Sequence, residues 1–141
     1  MKRFVKVIAL FLVLATVIAL PVVAADQRAS SFFMRSNVYL YKVSSTQFQA
    51  CFSVTAVDQM DELGVSEIKI QRSSDGANWS TMRTYTKESH PSLIKTNTSS
   101  YATYVTYTGT TGYYYRAKIT LYAKNDSGTG YYERYTTTLQ L

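Results

Sequence analysis

The chain of 141 residues contains one cysteine and one histidine. The single cysteine, Cys51, excludes an intrachain disulfide. Packing and backbone hydrogen bonds therefore have to hold the fold without the ~2–4 kcal/mol that a typical disulfide contributes. A lone thiol in an exported chain leaves pairing between two chains open, so a minor Cys51 disulfide dimer is expected.

The same scarcity argues against catalysis and against a bound metal. The only histidine, His90, precedes Pro91 in a predicted loop, whereas Cys51 falls inside a predicted strand, so nothing brings a Cys–His pair together. Zinc requires three or four protein ligands of the Cys, His or carboxylate type. We expect no catalytic residue, no metal site and no cofactor.

One acidic stretch keeps a second interpretation open. Asp58, Asp61 and Glu62 lie close together in a predicted connection. Calcium binds six to eight oxygens, of which such a loop could supply about half. A solvated loop is the simpler interpretation of these carboxylates.

The N-terminus has the pattern of a secretory leader. Three cations occur within residues 1–6, residues 7–20 carry no charge, and Pro21 is followed by Val23-Ala24-Ala25. A basic start, a short apolar core and small residues before the cleavage point are typical of a signal peptide. The apolar core is too short for a membrane anchor, which needs about 20 residues. We predict a signal peptide over residues 1–25 and a secreted protein that is not membrane-bound after cleavage.

Charge gives little support to nucleic-acid binding. Lys2, Arg3 and Lys6 belong to the leader, which leaves 12 of the 15 basic residues against 9 acidic ones, or a net charge of about +3. Nucleic-acid binders carry stronger and more clustered basic charge. No nucleic-acid partner is expected.

The remaining residues predict one all-β domain. Thirteen tyrosines and many threonines favour a pleated sheet, and about 115 residues suit a single domain. We predict a loose segment over residues 26–36 and a seven-stranded antiparallel β-sandwich over residues 37–141. Alternation places the strands at residues 37–43, 48–56, 65–73, 79–85, 99–108, 113–124 and 131–141, with a polar connection over Gln59–Gly64.

The core of this domain follows from the alternation. Six apolar residues are predicted to point inward and to share one core: Phe52, Val54, Ile68, Ile70, Ile119 and Leu121. Cys51 alternates with Phe52 and is predicted to point outward, towards solvent.

Four stretches carry a resemblance to known families. Ala123–Gly130 resembles the end of strand F in fibronectin type III domains, and the Ser74-Asp75-Gly76…Trp79 hairpin resembles bacterial members of that family. The family's strand-B tryptophan is absent here. Together with Met60-Asp61-Glu62 and Gly112–Arg116, the Ser74-Asp75-Gly76…Trp79 hairpin also resembles a small family of uncharacterised secreted bacterial β-sandwich proteins. The resemblance implies the sandwich fold and export, and it implies no activity.

One strand face is a candidate binding surface. If Ile119 and Leu121 point inward, then Tyr114, Arg116, Lys118 and Tyr122 point outward. Exposed tyrosines among basic groups can stack on sugar rings or contact a protein. The alternative is that these tyrosines only stabilise the sheet through cross-strand contacts.

The sequence therefore favours a secreted, non-catalytic binding module. Its ligand would be a surface glycan, a wall polymer or a protein. The alternative function is a small toxin-like or antimicrobial β-protein that acts on a neighbouring cell envelope, and an enzyme is the least favoured class.

Overall fold

Seven antiparallel strands make up the fold in the computed structural model, which describes residues 31–141. The strands are β1 (Phe33–Lys42), β2 (Gln47–Ser73), β3 (Ser80–Thr86), β4 (Ile94–Thr108), β5 (Tyr114–Asn125), β6 (Gly128–Tyr135) and β7 (Leu139–Gln140). A short 3-10 turn, Pro91–Leu93, precedes β4. The all-β prediction is confirmed, whereas the predicted signal peptide and residues 26–30 lie outside the described residues.

Within residues 31–141, no helix is both long enough and apolar enough to span a membrane.

The longest strand, β2, replaces two predicted strands. Its 27 residues run through Gln59–Gly64, where the sequence predicts a polar connection, so that prediction is wrong. The pairing register with β4 is irregular between Thr55 and Met60, which lets the strand bend there without leaving the sheet. At Gly64, with a φ of 155°, an added Cβ would lie 2.0 Å from the carbonyl oxygen of Leu93, so only glycine fits.

The bend of β2 curls the sheet. Its first half pairs with β1 on one side and with β4 on the other. Its second half pairs with β5, with β3 and with the start of β4. Within residues 31–141 the strands thus form one hydrogen-bonded sheet that curls into a half-barrel, and the two separate sheets of a sandwich are not observed.

The concave side of the curled sheet holds the hydrophobic core. All six predicted core residues belong to one buried cluster, which confirms the predicted inward faces of these strands: Phe52, Val54, Ile68, Ile70, Ile119 and Leu121. The rings of Phe48 on β2 and Tyr115 on β5 lie 5.1 Å apart, centroid to centroid, and so join the two halves of the sheet. Buried aromatic pairs of this kind stabilise a fold beyond the area that they bury.

The turn between β2 and β3 forms where the sequence predicts it. The carboxylate of Asp75 accepts hydrogen bonds from the backbone N–H groups of Asn78 and Ala77, at 2.8 Å each, and from the Ser73 hydroxyl. These bonds hold the pKa of Asp75 well below its usual range. Gly76 adopts a φ of 77°, a conformation that a residue with a side chain rarely takes.

Both ends of the domain differ from the sequence prediction. β1 begins at Phe33, within the segment predicted to be loose, because Phe32 is buried against Gly130. The predicted strand over residues 131–141 divides into β6 and β7. The division occurs at Thr136, whose hydroxyl accepts a hydrogen bond of 2.9 Å from the backbone N–H of Ala117.

Truncation of a central core residue tests this packing. Ile119 is fully buried between β2 and β6. We expect Ile119→Ala to lower the free energy of unfolding by ~2–5 kcal/mol, because it removes buried methyl groups and leaves a cavity. Urea denaturation measures the change, with the exposed Thr129→Ala as control. An unchanged midpoint for Ile119→Ala would contradict the assigned face of β5.

Candidate functional site

The predicted binding residues share one outer face, here called the β5 face. Tyr114, Arg116, Lys118 and Tyr122 alternate along β5 with the buried residues of the core. Neighbouring strands add Lys69 and Glu67 from β2 and three partly exposed side chains from β6: Tyr131, Glu133 and Tyr135. The predicted alternation is correct, but the contacts of these side chains within the protein decide how accessible each one is to a binding partner.

Arg116 is held from three sides. Its Nε donates a hydrogen bond of 2.7 Å to the Gln71 side chain. Its guanidinium carbon lies 4.4 Å from the ring centroid of Trp79 and 4.7 Å from that of Tyr135. Cation–π contacts at these distances are attractive. The cation of Arg116 on β5 therefore contacts β2 through Gln71, β6 through Tyr135 and Trp79 just before β3, so much of it is engaged within the protein.

Lys118 also has an internal partner. Its Nζ lies 2.9 Å from a carboxylate oxygen of Glu133 on β6, and this hydrogen-bonded ion pair raises the pKa of Lys118. Lys69 and Glu67 also form an ion pair, at 3.4 Å. The charges of the β5 face therefore largely cancel each other, which weakens the attraction of this face for an anionic partner.

Tyr122 is not exposed, which corrects the sequence prediction. Its side chain is only 4% exposed. The hydroxyl donates a hydrogen bond of 2.8 Å to Glu62, the ring centroid lies 5.4 Å from that of Tyr131, and Lys87 Nζ lies 4.7 Å above the ring. Burial and the Glu62 hydrogen bond raise the pKa of Tyr122. Alternation alone cannot reveal this cover, because it comes from β2, β6 and the loop after β3.

A second outer face, absent from the sequence prediction, is built on the first half of β2. The register aligns three rows across β1, β2 and β4: Asn37–Ser53–Ala102, Tyr39–Cys51–Tyr104 and Tyr41–Gln49–Thr106. None of these nine residues is acidic or basic. Tyr39, Tyr41 and Tyr104 are 44%, 59% and 54% exposed. We call these three rows the neutral tyrosine face.

This face carries only a weak signal in the sequence. Tyr39 and Tyr41 alternate with Val38 and Leu40, so their outward direction is predictable. Tyr104 lies more than 60 residues later in the chain and joins them only through the register of β4 with β2. The sequence pattern cannot fix that register.

Cys51 belongs to the middle row of the neutral tyrosine face, and its neighbours cover it. The residue is 7% exposed, so the prediction of an open thiol is wrong. Tyr39 on β1 and Tyr104 on β4 are its cross-strand neighbours. Burial raises the pKa of the Cys51 thiol, and the nearby sulfur raises the pKa of Tyr39.

The remaining chemistry-bearing residues are dispersed. His90 Nδ1 lies 2.9 Å from the Ser89 hydroxyl, and the His90 ring packs edge-on against Tyr85. Within residues 31–141, no group of three or more His, Cys, Asp or Glu side chains could hold a metal ion. Of the predicted acidic stretch, Glu62 is engaged by Tyr122 and the other two carboxylates are exposed.

The cover over Cys51 can be tested with a thiol reagent. We expect Cys51 in the folded protein to react far more slowly with an aromatic disulfide reagent at neutral pH than in urea, because it is buried and its pKa is raised. Tyr39→Ala should accelerate the reaction, whereas Tyr135→Ala, on the β5 face, should not. A reaction as fast in the native as in the unfolded protein would contradict this arrangement.

Tyr122 makes stability depend on pH at the alkaline end. Its pKa is higher in the folded than in the unfolded protein, so its contribution is complete below about pH 10 and is lost as the pH rises further. Tyr122→Phe should cost about 0.5–1.5 kcal/mol at pH 7 through the lost hydrogen bond. The gap between variant and parent should narrow above about pH 10.

Denaturation midpoints between about pH 7 and pH 11 measure this effect. The exposed Tyr135→Phe serves as control and should follow the parent at every pH. If the gap between Tyr122→Phe and the parent stayed constant over this range, the Glu62 hydrogen bond would not oppose ionisation.

Comparisons with known proteins add no function to these two faces. No protein-family model, no curated protein and no solved structure matches the chain. The resemblance to fibronectin type III domains and to secreted bacterial proteins therefore stays a prediction. Because one fold can serve many functions, the function has to be argued from the faces themselves.

Proposed function

We propose that the protein is an exported, non-catalytic binding module whose neutral tyrosine face binds a neutral, hydroxyl-rich polysaccharide. The observation that carries this proposal is the composition of the face. Three half-exposed tyrosines stand among small hydroxyl and amide side chains, with no acidic or basic residue in the three rows.

The spacing of the tyrosines suits an extended sugar chain. Tyr39 and Tyr104 flank Cys51 in one row, so their Cα atoms lie two strand spacings apart, or about 10 Å. Tyr41 follows Tyr39 by one two-residue step, about 6.8 Å along β1. The distance of about 10 Å between Tyr39 and Tyr104 is close to the length of a disaccharide in an extended β-linked polysaccharide. Two sugar rings of one chain can therefore each contact a tyrosine.

The chemistry of the face favours a neutral sugar over a charged one. Tyrosine rings offer large, rigid contact surfaces that lose little conformational entropy on binding. Gln49, Ser53 and Thr106 supply hydrogen-bond donors and acceptors beside the rings. An anionic polymer would find no cation in the three rows to compensate its lost hydration.

The platform is rigid because of what lies beneath it. The opposite side of the same strands carries Phe52 and Val105, which are buried in the core. β2 is paired on both sides at this level, so the row through Cys51 is fixed by two ladders. A preorganised surface loses less entropy on binding than a flexible loop does.

The domain type within this proposal is a fibronectin type III-like sandwich in which one strand serves both layers. If the halves of β2 are counted as strands B and C, the pairing groups β1, B and β4 in one layer and β3, C, β5 and β6 in the other. Immunoglobulin-like sandwiches likewise group strands A, B and E against C, F and G. The pairing supports this assignment, and the leader pattern over residues 1–25 supports export.

Removal of the tyrosines tests the proposal. We expect the double variant Tyr39→Ala with Tyr104→Ala to bind about tenfold more weakly to a neutral polysaccharide, since each aromatic contact contributes about 0.5–1.5 kcal/mol. The probes are microcrystalline cellulose, chitin and purified bacterial wall glycan, measured by depletion from solution. Binding should change little from about 50 mM to about 500 mM salt, because no ion pair is involved.

The matched control is Tyr131→Ala with Tyr135→Ala, two half-exposed tyrosines of the β5 face. That variant should bind as the parent does. If it loses binding while the Tyr39/Tyr104 variant keeps it, the β5 face is the binding surface. If the parent retains none of the three probes, the polysaccharide proposal is wrong, and growth inhibition of related cells by the added protein would then favour the toxin-like alternative.

A further inference from the structure

A cleft lies between β1 and β6, the two strands at the open side of the half-barrel. It has a volume of about 420 Å³, which is within the ordinary range for a ligand site. Six residues line it, and we call it the edge cleft: Phe33, Met34, Arg35 and Ser36 from β1, with Tyr132 and Arg134 from β6. It is a different surface from both outer faces described above.

The strands on either side of the edge cleft are close but unpaired. Within residues 31–141, the backbone ladder of β1 is formed only with β2, and that of β6 only with β5. The contacts Phe32–Gly130, Phe33–Tyr132 and Ser36–Arg134 advance in the same direction along both strands, so β1 and β6 run parallel there. Side chains bridge the gap where a backbone ladder would otherwise form.

The side chain that bridges the gap belongs to Arg134, and it donates a hydrogen bond to the backbone of β1. Arg134 Nη1 donates hydrogen bonds to the carbonyl oxygen of Ser36, at 3.3 Å, and to its hydroxyl, at 2.8 Å. The Ser36 carbonyl therefore points into the cleft. In an antiparallel strand the N–H and C=O of one residue point to the same side, so the Ser36 N–H points there as well. An exposed edge with such groups is a template for an added strand.

The lining of the edge cleft is basic and apolar. Arg35 and Arg134 bring two guanidinium groups, and among residues 31–141 no carboxylate lines the cleft. The rings of Phe33 and Tyr132 lie 6.4 Å apart, and Met34 is 66% exposed. A guanidinium binds a carboxylate through two parallel hydrogen bonds, which neutral groups cannot match.

We infer that the edge cleft accepts an extended acidic peptide segment of a partner protein, which adds as a strand along β1. The peptide backbone pairs with the N–H and C=O of Ser36, its alternate apolar side chains contact Met34 and Phe33, and its carboxylates bind Arg35 and Arg134. Main-chain hydrogen bonds supply affinity in such strand addition, and the side-chain contacts supply specificity.

Arg134 adjusts as the strand enters. Its hydrogen bonds to Ser36 hold the cleft together in the free protein. A carboxylate that takes the guanidinium releases the Ser36 carbonyl for the incoming backbone N–H. The exchange leaves neither the cation nor the carbonyl without a partner, which favours it at this partly buried contact.

Capped octapeptides of alternating sequence test the inference. The probes are valine–glutamate, valine–glutamine and valine–lysine repeats, with binding followed by fluorescence anisotropy and by the amide shift of Ser36. The glutamate peptide should bind at least about tenfold more tightly than the glutamine peptide at low salt, and the lysine peptide should not bind. Arg134→Gln and Arg35→Gln should each weaken the glutamate peptide by about two- to fivefold.

Two further variants separate strand addition from simple charge attraction. Ser36→Pro removes the edge N–H and should abolish binding of the glutamate peptide while the β1–β2 ladder stays intact. Lys124→Gln removes an exposed cation elsewhere and should have no effect. In the parent, the amide resonance of Ser36 should shift when the glutamate peptide binds. The spectrum of Ser36→Pro should be that of a folded protein.

Three outcomes would overturn the inference. The first is equal binding of all three peptides or of none. The second is unchanged affinity for the glutamate peptide in a folded Ser36→Pro variant. The third is displacement of the peptide by free acetate at equal concentration, which would show an anion site without strand addition. None of these outcomes depends on polysaccharide binding, because the two surfaces do not share a residue.

Discussion

The continuity of β2 is the constraint on which the rest of the structure depends. Its first half pairs with β1 and β4, and its second half with β3 and β5. A strand that serves both halves must bend, and the irregular register between Thr55 and Met60 provides the bend. The concave side then encloses the core without a disulfide, since Phe48 and Tyr115 meet across it.

The same bend gives the protein two outer faces with different electrostatics. On the β5 face, Arg116 and Lys118 are paired with Gln71 and Glu133, so hydrogen bonds and cation–π contacts within the protein use most of the available charge. On the neutral tyrosine face, the rings have no charged neighbours within the three rows. The exposed tyrosine rings of this face are better suited to binding a partner, because the partner does not have to displace an existing charged contact.

An open curl also leaves edges. In a closed barrel every strand has two neighbours, whereas within the described residues 31–141 β1 and β6 each pair with one strand. Arg134 spans the gap between them and satisfies the Ser36 carbonyl. The Arg134 side chain thereby protects the edge of β1. Together with Arg35 it also places two cations where an acidic strand would fit.

The sequence by itself determined the local features that depend on neighbours along the chain. The alternation of Ile119 and Leu121 gave the buried side of β5, and Ser74-Asp75-Gly76 gave the turn, because residue spacing and positive φ are local properties. The strand count of seven was right, but two predicted strands merged in β2 and the last one divided at Thr136. Polar residues such as Asp61 suggested a connection, although a bent strand can carry them on its exposed side.

Only the tertiary structure decided which side chains share a surface and which are covered. Tyr122 is buried because Glu62 and Tyr131 approach it from other strands, and Cys51 because it lies between Tyr39 and Tyr104. These contacts depend on register between strands distant in sequence, where a shift of one residue would reverse every side chain. The alternation of a single strand contains no information about that register.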